Sequence, residues 1–112
     1  MGDKRTAIYC RVDRGGSPET RRDALKLQRQ ELEHYAAIKG LQLSGCYEEN
    51  GFPGNDLTRP GLAQLMQDYD AGVFEQVLVV NYNRLYRGSH RNETHWPFQI
   101  CSLNQLEHNL EL

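Results

Sequence analysis

Five arginines sit where a folded chain could gather them: Arg11 and Arg14 beside a strand end, Arg59 before a proline, and Arg84 and Arg87 after an apolar run. A guanidinium group is planar and offers paired N–H donors, so it meets two phosphate oxygens at once. Several on one edge would hold a phosphoanion and stabilise charge during phosphoryl transfer. Asp13, in the stretch YCRVDRGG, works against this, because its carboxylate repels a phosphate before contact. The residues alone leave two readings open. One is a phosphate site. The other is a set of solvated surface arginines paired with neighbouring carboxylates.

The elements around these residues decide whether they can meet. Thr6 to Val12 is a short run of apolar, β-branched and aromatic residues, and reads as a buried strand. Gly15-Gly16-Ser17-Pro18 breaks it, with Ser17 a candidate N-cap and Pro18 at the first helical position. From Pro18 to Lys39 the period is helical, with Leu25, Leu32, Tyr35, Ala36 and Gln28 on one face and Gly40 as the stop. Leu41 to Tyr47 reads as a second strand, and Glu48 to Asp56 as a loop rich in turn formers. Pro60 opens a second helix carrying Leu62, Leu65, Met66 and Tyr69, and Gly72 follows it. Gln76 to Asn81 is the clearest buried strand. Trp96, Ile100, Leu103 and Leu106, spaced four, three and three apart, predict a third helix, with Pro97 in its first turn. Asn109 to Leu112 reads as the start of another strand.

Alternating strands and helices imply an α/β single domain, with a mainly parallel sheet of about four strands and helices on both faces. Ligands of such sheets bind beyond the carboxyl ends of the strands. That edge would hold Arg11 and Asp13 after the first strand, Glu49 after the second, and Asn83, Arg84 and Arg87 after the third, with Arg59 within reach.

The segments AIYCRV, LQRQEL, YEENGFPGNDLTRPGL and VLVVNYNRLYRG, in this order and spacing, resemble the catalytic domain of the serine recombinases, the resolvase/invertase family. The likeness runs from about Thr6 to Gly88 and continues more weakly to the chain's end. It implies site-specific DNA strand exchange through a phosphoserine intermediate, with an arginine cluster stabilising the transition state. By this resemblance the catalytic set is Arg11, Asp13, Gln28, Glu49, Arg59, Asn83, Arg84 and Arg87, of which Arg11, Arg59, Arg84 and Arg87 bind DNA phosphate. Glu49 stands where the family has an aspartate.

Two positions depart from the pattern. The nucleophilic serine of the family falls at Asp13, and the aspartate of its DRLxR motif falls at Asn83. A carboxylate in the serine's place would have to form an acyl phosphate, and its charge disfavours the approach of DNA. Asp13 is better suited to occupying the arginines as an internal phosphate mimic. The exchange conserves charge, one carboxylate arriving as another leaves. Ser17, four residues on, is the alternative nucleophile, and the N-cap role competes for it.

The remaining motifs point away from other chemistries. His90 and His95 lack zinc-protease spacing, and three cysteines without CxxC spacing read as reduced thiols, so no metal or cofactor is expected. Cys10 reads as core, and Tyr82, Tyr86 and Trp96 as packing residues in preference to base-stacking ones. Asn92-Glu93-Thr94 matches a glycosylation acceptor, but nothing signals secretion. With 38% hydrophobic and 25% charged residues and no apolar span or leader, the chain reads as a cytoplasmic globular domain without a membrane partner. A net charge of −2 implies that DNA is bound weakly by this chain alone. Residues 1–112 are thus expected to form a resolvase-like catalytic domain ending before the dimerisation helix and DNA-binding module that the resemblance implies. Impaired cleavage is the leading expectation. Its rivals are an active fragment using Ser17, a non-catalytic module pairing with an intact recombinase or with itself as a homodimer, and a small phosphoanion-binding α/β domain.

Overall fold

A computed structural model describes residues 4–52, 59–86 and 96–103. The elements run β1 (Arg5–Val12), α1 (Pro18–Lys39), β2 (Gln42–Asn50), α2 (Pro60–Asp70), β3 (Gln76–Val79), a 3-10 turn (Tyr82–Arg84) and β4 (Gln99–Ser102). All four strands are parallel, in the order β2-β1-β3-β4. The chain therefore steps from β1 to β2 and then back across β1 to β3. Two crossovers of one hand that travel in opposite directions must cover opposite faces of the sheet.

The two cores follow this geometry. Side chains alternate along a strand, so Ile8, Cys10 and Val12 of β1 pack with Leu25, Leu32 and Ala36 of α1. Ala7 and Tyr9 face the other way and pack with Leu62 and Leu65 of α2. The sheet order changes direction between β1 and β3, and ligand crevices of open α/β sheets lie at such switch points.

The caps of α1 match their sequence signals. Ser17 Oγ accepts from the Thr20 N–H at 3.1 Å, and Gly40 closes the helix at φ 69°, where glycine has no side-chain penalty. Both N-terminal prolines sit where a helix needs no N–H donor.

Three expectations need correction. The predicted third helix is not formed over Trp96 to Ser102: Gln99–Ser102 is β4, paired with β3 from Gln76↔Gln99 to Val79↔Ser102, and only Leu103 after it is helical. The four-three spacing was real but short, and the open edge of β3 made a strand the better use of those residues. Leu106 and Asn109 to Leu112 lie outside the described residues. Second, β2 continues through Glu48, Glu49 and Asn50, which the sequence reading gave to a loop, because β1 supplies partners as far as Val12↔Asn50. Third, β3 ends at Val79, two residues short of Asn81. No helix among the described residues is long and apolar enough to cross a membrane.

Candidate functional site

The site grows from the last turn of the pleat in β1. Val12 accepts from the N–H groups of Gly51 and Phe52, so its carbonyl faces the β2 side. Arg11, one residue earlier, presents its backbone the other way, beyond the last pairing with β3 at Ile8↔Leu78. Gln28 of α1 fills that gap like a piece of strand. Its Oε1 accepts from the Arg11 N–H at 3.2 Å, and its Nε2 donates to the Arg11 carbonyl at 2.9 Å. The sequence placed Gln28 on the inward face of α1, and this clamp is what it does there.

The side chain of Arg11 is fully buried. Its Nε donates to the Arg84 carbonyl at 2.9 Å, and its two terminal nitrogens donate to Asn83 O and Phe52 O, each at 2.8 Å. It also forms an ion pair with Asp13, whose side chain is 45% exposed. A buried cation needs such partners, since desolvation is otherwise prohibitive.

Arg59 is equally buried, at the N-cap position of α2. It donates to the Arg84 carbonyl at 3.0 Å and to the Leu85 carbonyl, and its guanidinium lies 5.7 Å from the centre of the Tyr9 ring. Arg11 and Arg59 thus converge on one oxygen, the carbonyl of Arg84. Arg84 turns its own guanidinium back, donating to Arg11 O at 2.7 Å and to Asn83 Oδ1 at 2.9 Å. The carboxamide of Asn83 serves here as an acceptor for a guanidinium.

Glu49, paired with Arg11 in the sheet register, is 1% exposed. Its Oε2 accepts from the Tyr9 hydroxyl at 3.1 Å and from the Leu62 N–H at 2.5 Å. The second bond places a carboxylate at the N-terminal end of α2, where the helix dipole favours negative charge. Burial pushes the Tyr9 hydroxyl well above the usual tyrosine range; Arg59 opposes the rise and Glu49 adds to it. Gly61 makes room for the carboxylate. A Cβ there would lie 2.7 Å from Glu49 Oε2 and 2.9 Å from the Glu48 carbonyl.

The arrangement therefore gathers guanidinium groups from three separate segments at the sheet's switch point, with one half-exposed carboxylate, Asp13, at the boundary with solvent. Arg11 and Arg59 donate to backbone carbonyls, and Arg11 also to Asp13. Among the described residues no group of three or more His, Cys, Asp or Glu side chains could hold a metal ion.

The family model "Resolvase, N terminal domain" matches residues 6–95. The chain belongs to the resolvase family of serine recombinases. Its fold is that of their catalytic domain. It is similar to the N-terminal catalytic domain of TP901-1 integrase, at 31% identity and a TM-score of 0.69, over 91% of this chain and 78% of that one. It is also similar in fold to the C-terminal catalytic domain of ISC1926 TnpA, an IS607-like serine recombinase, at 24% identity and a TM-score of 0.73, over 95% of this chain and 77% of that one. A serine recombinase from Sulfolobus solfataricus shares the fold at 22% identity and a TM-score of 0.67, over 95% and 74% of the two chains. No curated protein matches the sequence.

Within this resolvase-family domain the structure brings together Arg11, Asp13, Gln28, Asn83, Arg84 and Arg59, with Glu49 joined through Tyr9 and the β1–β2 register. Arg14 is exposed. Arg87, His90, His95 and Asn92-Glu93-Thr94 lie outside the described residues. Sequence reasoning missed Tyr9 and Gly61. Tyr9 carries a signal in hindsight, since it shares the strand face of Arg11; the need for Gly61 depends on a contact with Glu49 that no local pattern announces. Trp96 proves to be a packing residue, stacked on Phe98 and donating from Nε1 to the Tyr82 hydroxyl at 2.8 Å.

Proposed function

We propose that this is a DNA strand-exchange domain whose own cleavage step is impaired, because Asp13 occupies the position of the nucleophilic serine. The observation that carries the reading is the ion pair between Asp13 and the buried Arg11. A serine hydroxyl in that place would attack phosphorus and leave a phosphodiester link to DNA. A carboxylate would yield a labile acyl phosphate, and it neutralises the cation that should receive the scissile phosphate. Arg11, Arg59, Arg84 and Arg87 are the phosphate-binding residues in this reading, and Gln28 and Glu49 hold them in place. Asn83 offsets Asp13, so the exchange leaves the number of carboxylates in the pocket unchanged. DNA bound by this domain alone is held weakly, since the chain carries a net charge of −2.

Ser17 is a poor replacement nucleophile. Its Oγ caps α1 and lies 2.8 Å from Thr20 Oγ1.

The test is covalent capture on a suicide DNA site. The unmodified domain, joined to a dimerisation helix and a DNA-binding module, should give no protein–DNA adduct. Asp13→Ser combined with Asn83→Asp, at unchanged net charge, should give one. An adduct from the unmodified chain that persists in Ser17→Ala would overturn the reading. Asp13→Ala should also tighten binding of inorganic phosphate, which the present carboxylate opposes.

A further inference from the structure

On the opposite face of the sheet from Arg59, α1 and the end of β2 enclose a groove of about 470 Å³ lined by Arg22, Leu25, Lys26, Arg29, Glu48 and Asn50. Its lining carries three cations and one carboxylate, a local charge of +2 in a chain whose net charge is −2. The sign reversal is not scattered. Arg22, Lys26 and Arg29 follow one another at intervals of four and three residues, which puts one cation on each turn along a single stripe of α1. Leu25, buried in the core under α1, fixes the floor.

The groove is joined to the site described above. Asn50 pairs with Val12, the residue before Asp13, so both open on the same carboxyl edge of the sheet. Arg21 braces that junction: its Nε donates to Asn50 Oδ1 at 2.9 Å, and its Nη1 donates to the carbonyls of Gly15 and Gly16 at 3.2 Å each. This fixes the loop after Asp13 against the mouth of the groove. The same helix carries Gln28, which clamps Arg11.

We infer that the α1–β2 groove is a second phosphate-binding track, which takes the backbone of a nucleic acid strand continuing past the arginine site. A ladder with one cation per helical turn suits a polyanion that carries one charge on every unit. A single small anion would engage only part of it. Glu48 tempers the track: it pairs with Arg29 at 3.1 Å, with both side chains partly exposed, and this pair must open for a phosphate to reach Arg29. Pairs so exposed contribute little to stability, so the exchange is inexpensive. The inference rests on the reading of the domain as one that meets DNA, but it concerns residues that take no part in cleavage.

The experiment is a salt titration. Binding of the domain to a short fluorescent duplex of arbitrary sequence is followed by anisotropy, starting at low salt. Each phosphate contact contributes about 0.9 to the slope of log K against log salt. The triple change Arg22→Gln, Lys26→Gln and Arg29→Gln should therefore flatten that slope by about 2–3 and weaken binding equally across sequences. Glu48→Gln should act in the opposite sense and tighten binding, which no loss of folding can imitate. Circular dichroism checks that each variant keeps its helices. An unchanged slope in the triple variant, or no salt-dependent binding by the parent domain, overturns the inference. So does displacement of the duplex by inorganic phosphate at equal charge, which would mark a small-anion site, or by polyglutamate, which would mark a surface for acidic proteins. Failure here is separable from failure of the proposed function, because adduct formation by the Asp13→Ser, Asn83→Asp version is read independently of this slope.

Discussion

Along β1, Ile8, Cys10 and Val12 meet Leu25, Leu32 and Ala36 of α1 in a wholly apolar contact, while Ala7, Tyr9 and Arg11 on the other face lead from the core into buried charge. Both faces are equally closed to water: Cys10 and Arg11 are each 0% exposed. They differ in what holds them closed. The α1 face depends on area removed from water, which is non-directional. The α2 face has an apolar core of its own around Leu62, Leu65 and Phe74, but at its carboxyl end it depends also on hydrogen bonds of fixed geometry, since Arg11, Arg59 and Glu49 are tolerable there only while each keeps its partners. A strand can thus anchor a core and a polar site at one depth, provided that its two faces use different forces.

Substitutions on each face should separate these forces. Arg11→Ala is expected to cost the most. It strips a donor from the Phe52 and Asn83 carbonyls and one of two from the Arg84 carbonyl, which Arg59 still reaches, and it leaves Asp13 without its ion pair to Arg11; each buried group left unsatisfied costs about 1–3 kcal/mol. Urea unfolding should show a loss above about 3 kcal/mol. A loss under about 1 kcal/mol would mean that water replaces the guanidinium easily and that the α2 face is not specially dependent on it.

Leu32→Ala is the matching change on the apolar face. Leu32 is 0% exposed, so about 2–5 kcal/mol should be lost through transfer and cavity terms. Anion binding at the arginine site should be untouched. A change in phosphate affinity as large as that in Arg11→Ala would dissolve the distinction between the faces.

Gly61→Ala sharpens the comparison by crowding the α2 face without removing any charge. The new methyl group meets Glu49 Oε2 and the Glu48 carbonyl inside normal contact distance. Overpacking of this kind costs about 1–3 kcal/mol. Full stability in Gly61→Ala would show that Glu49 can move, contrary to its two hydrogen bonds.

The last comparison is a pH dependence on the α1 face. Burial pushes the Cys10 thiol from 9.0 up to about 12, with lesser contributions from Cys46 and Glu48. The folded chain thus holds this proton more tightly than the unfolded one. The stability it contributes is complete below pH 9.0 and declines as pH rises towards about 12. The difference in urea midpoint between the parent and Cys10→Ala should shrink over that window. A constant difference would mean that the thiol is not desolvated.

Much of this molecule was legible before its structure. The extent of α1, its Ser17 cap and its Gly40 stop came from local signals, because capping and helical period act between residues a few positions apart. The apolar runs of β1 and β3 gave buried strands for the same reason. The convergence of Arg11, Asn83 and Arg84 followed from parallel topology and from the resemblance to serine recombinases.

What only the tertiary structure decided is whatever depends on a partner distant in the chain. Gln99–Ser102 became a strand because β3 offered an unpaired edge, although Trp96, Ile100 and Leu103 carried a helical spacing. Glu49 lies within a strand because β1 extends to meet it, and Tyr9 joins the site because Arg59 and Glu49 arrive on its face. Sequence by itself determined α1, α2, β1 and β3 and the kinds of side chain they carry, since their signals rest on residues close in the chain. Which arginines spend their donors on carbonyls, and which carboxylate stands at the mouth of the site, was fixed only when segments some seventy residues apart, Arg11 and Arg84 (73 positions), closed on one another. Buried charge survives only where all of its partners are in place together.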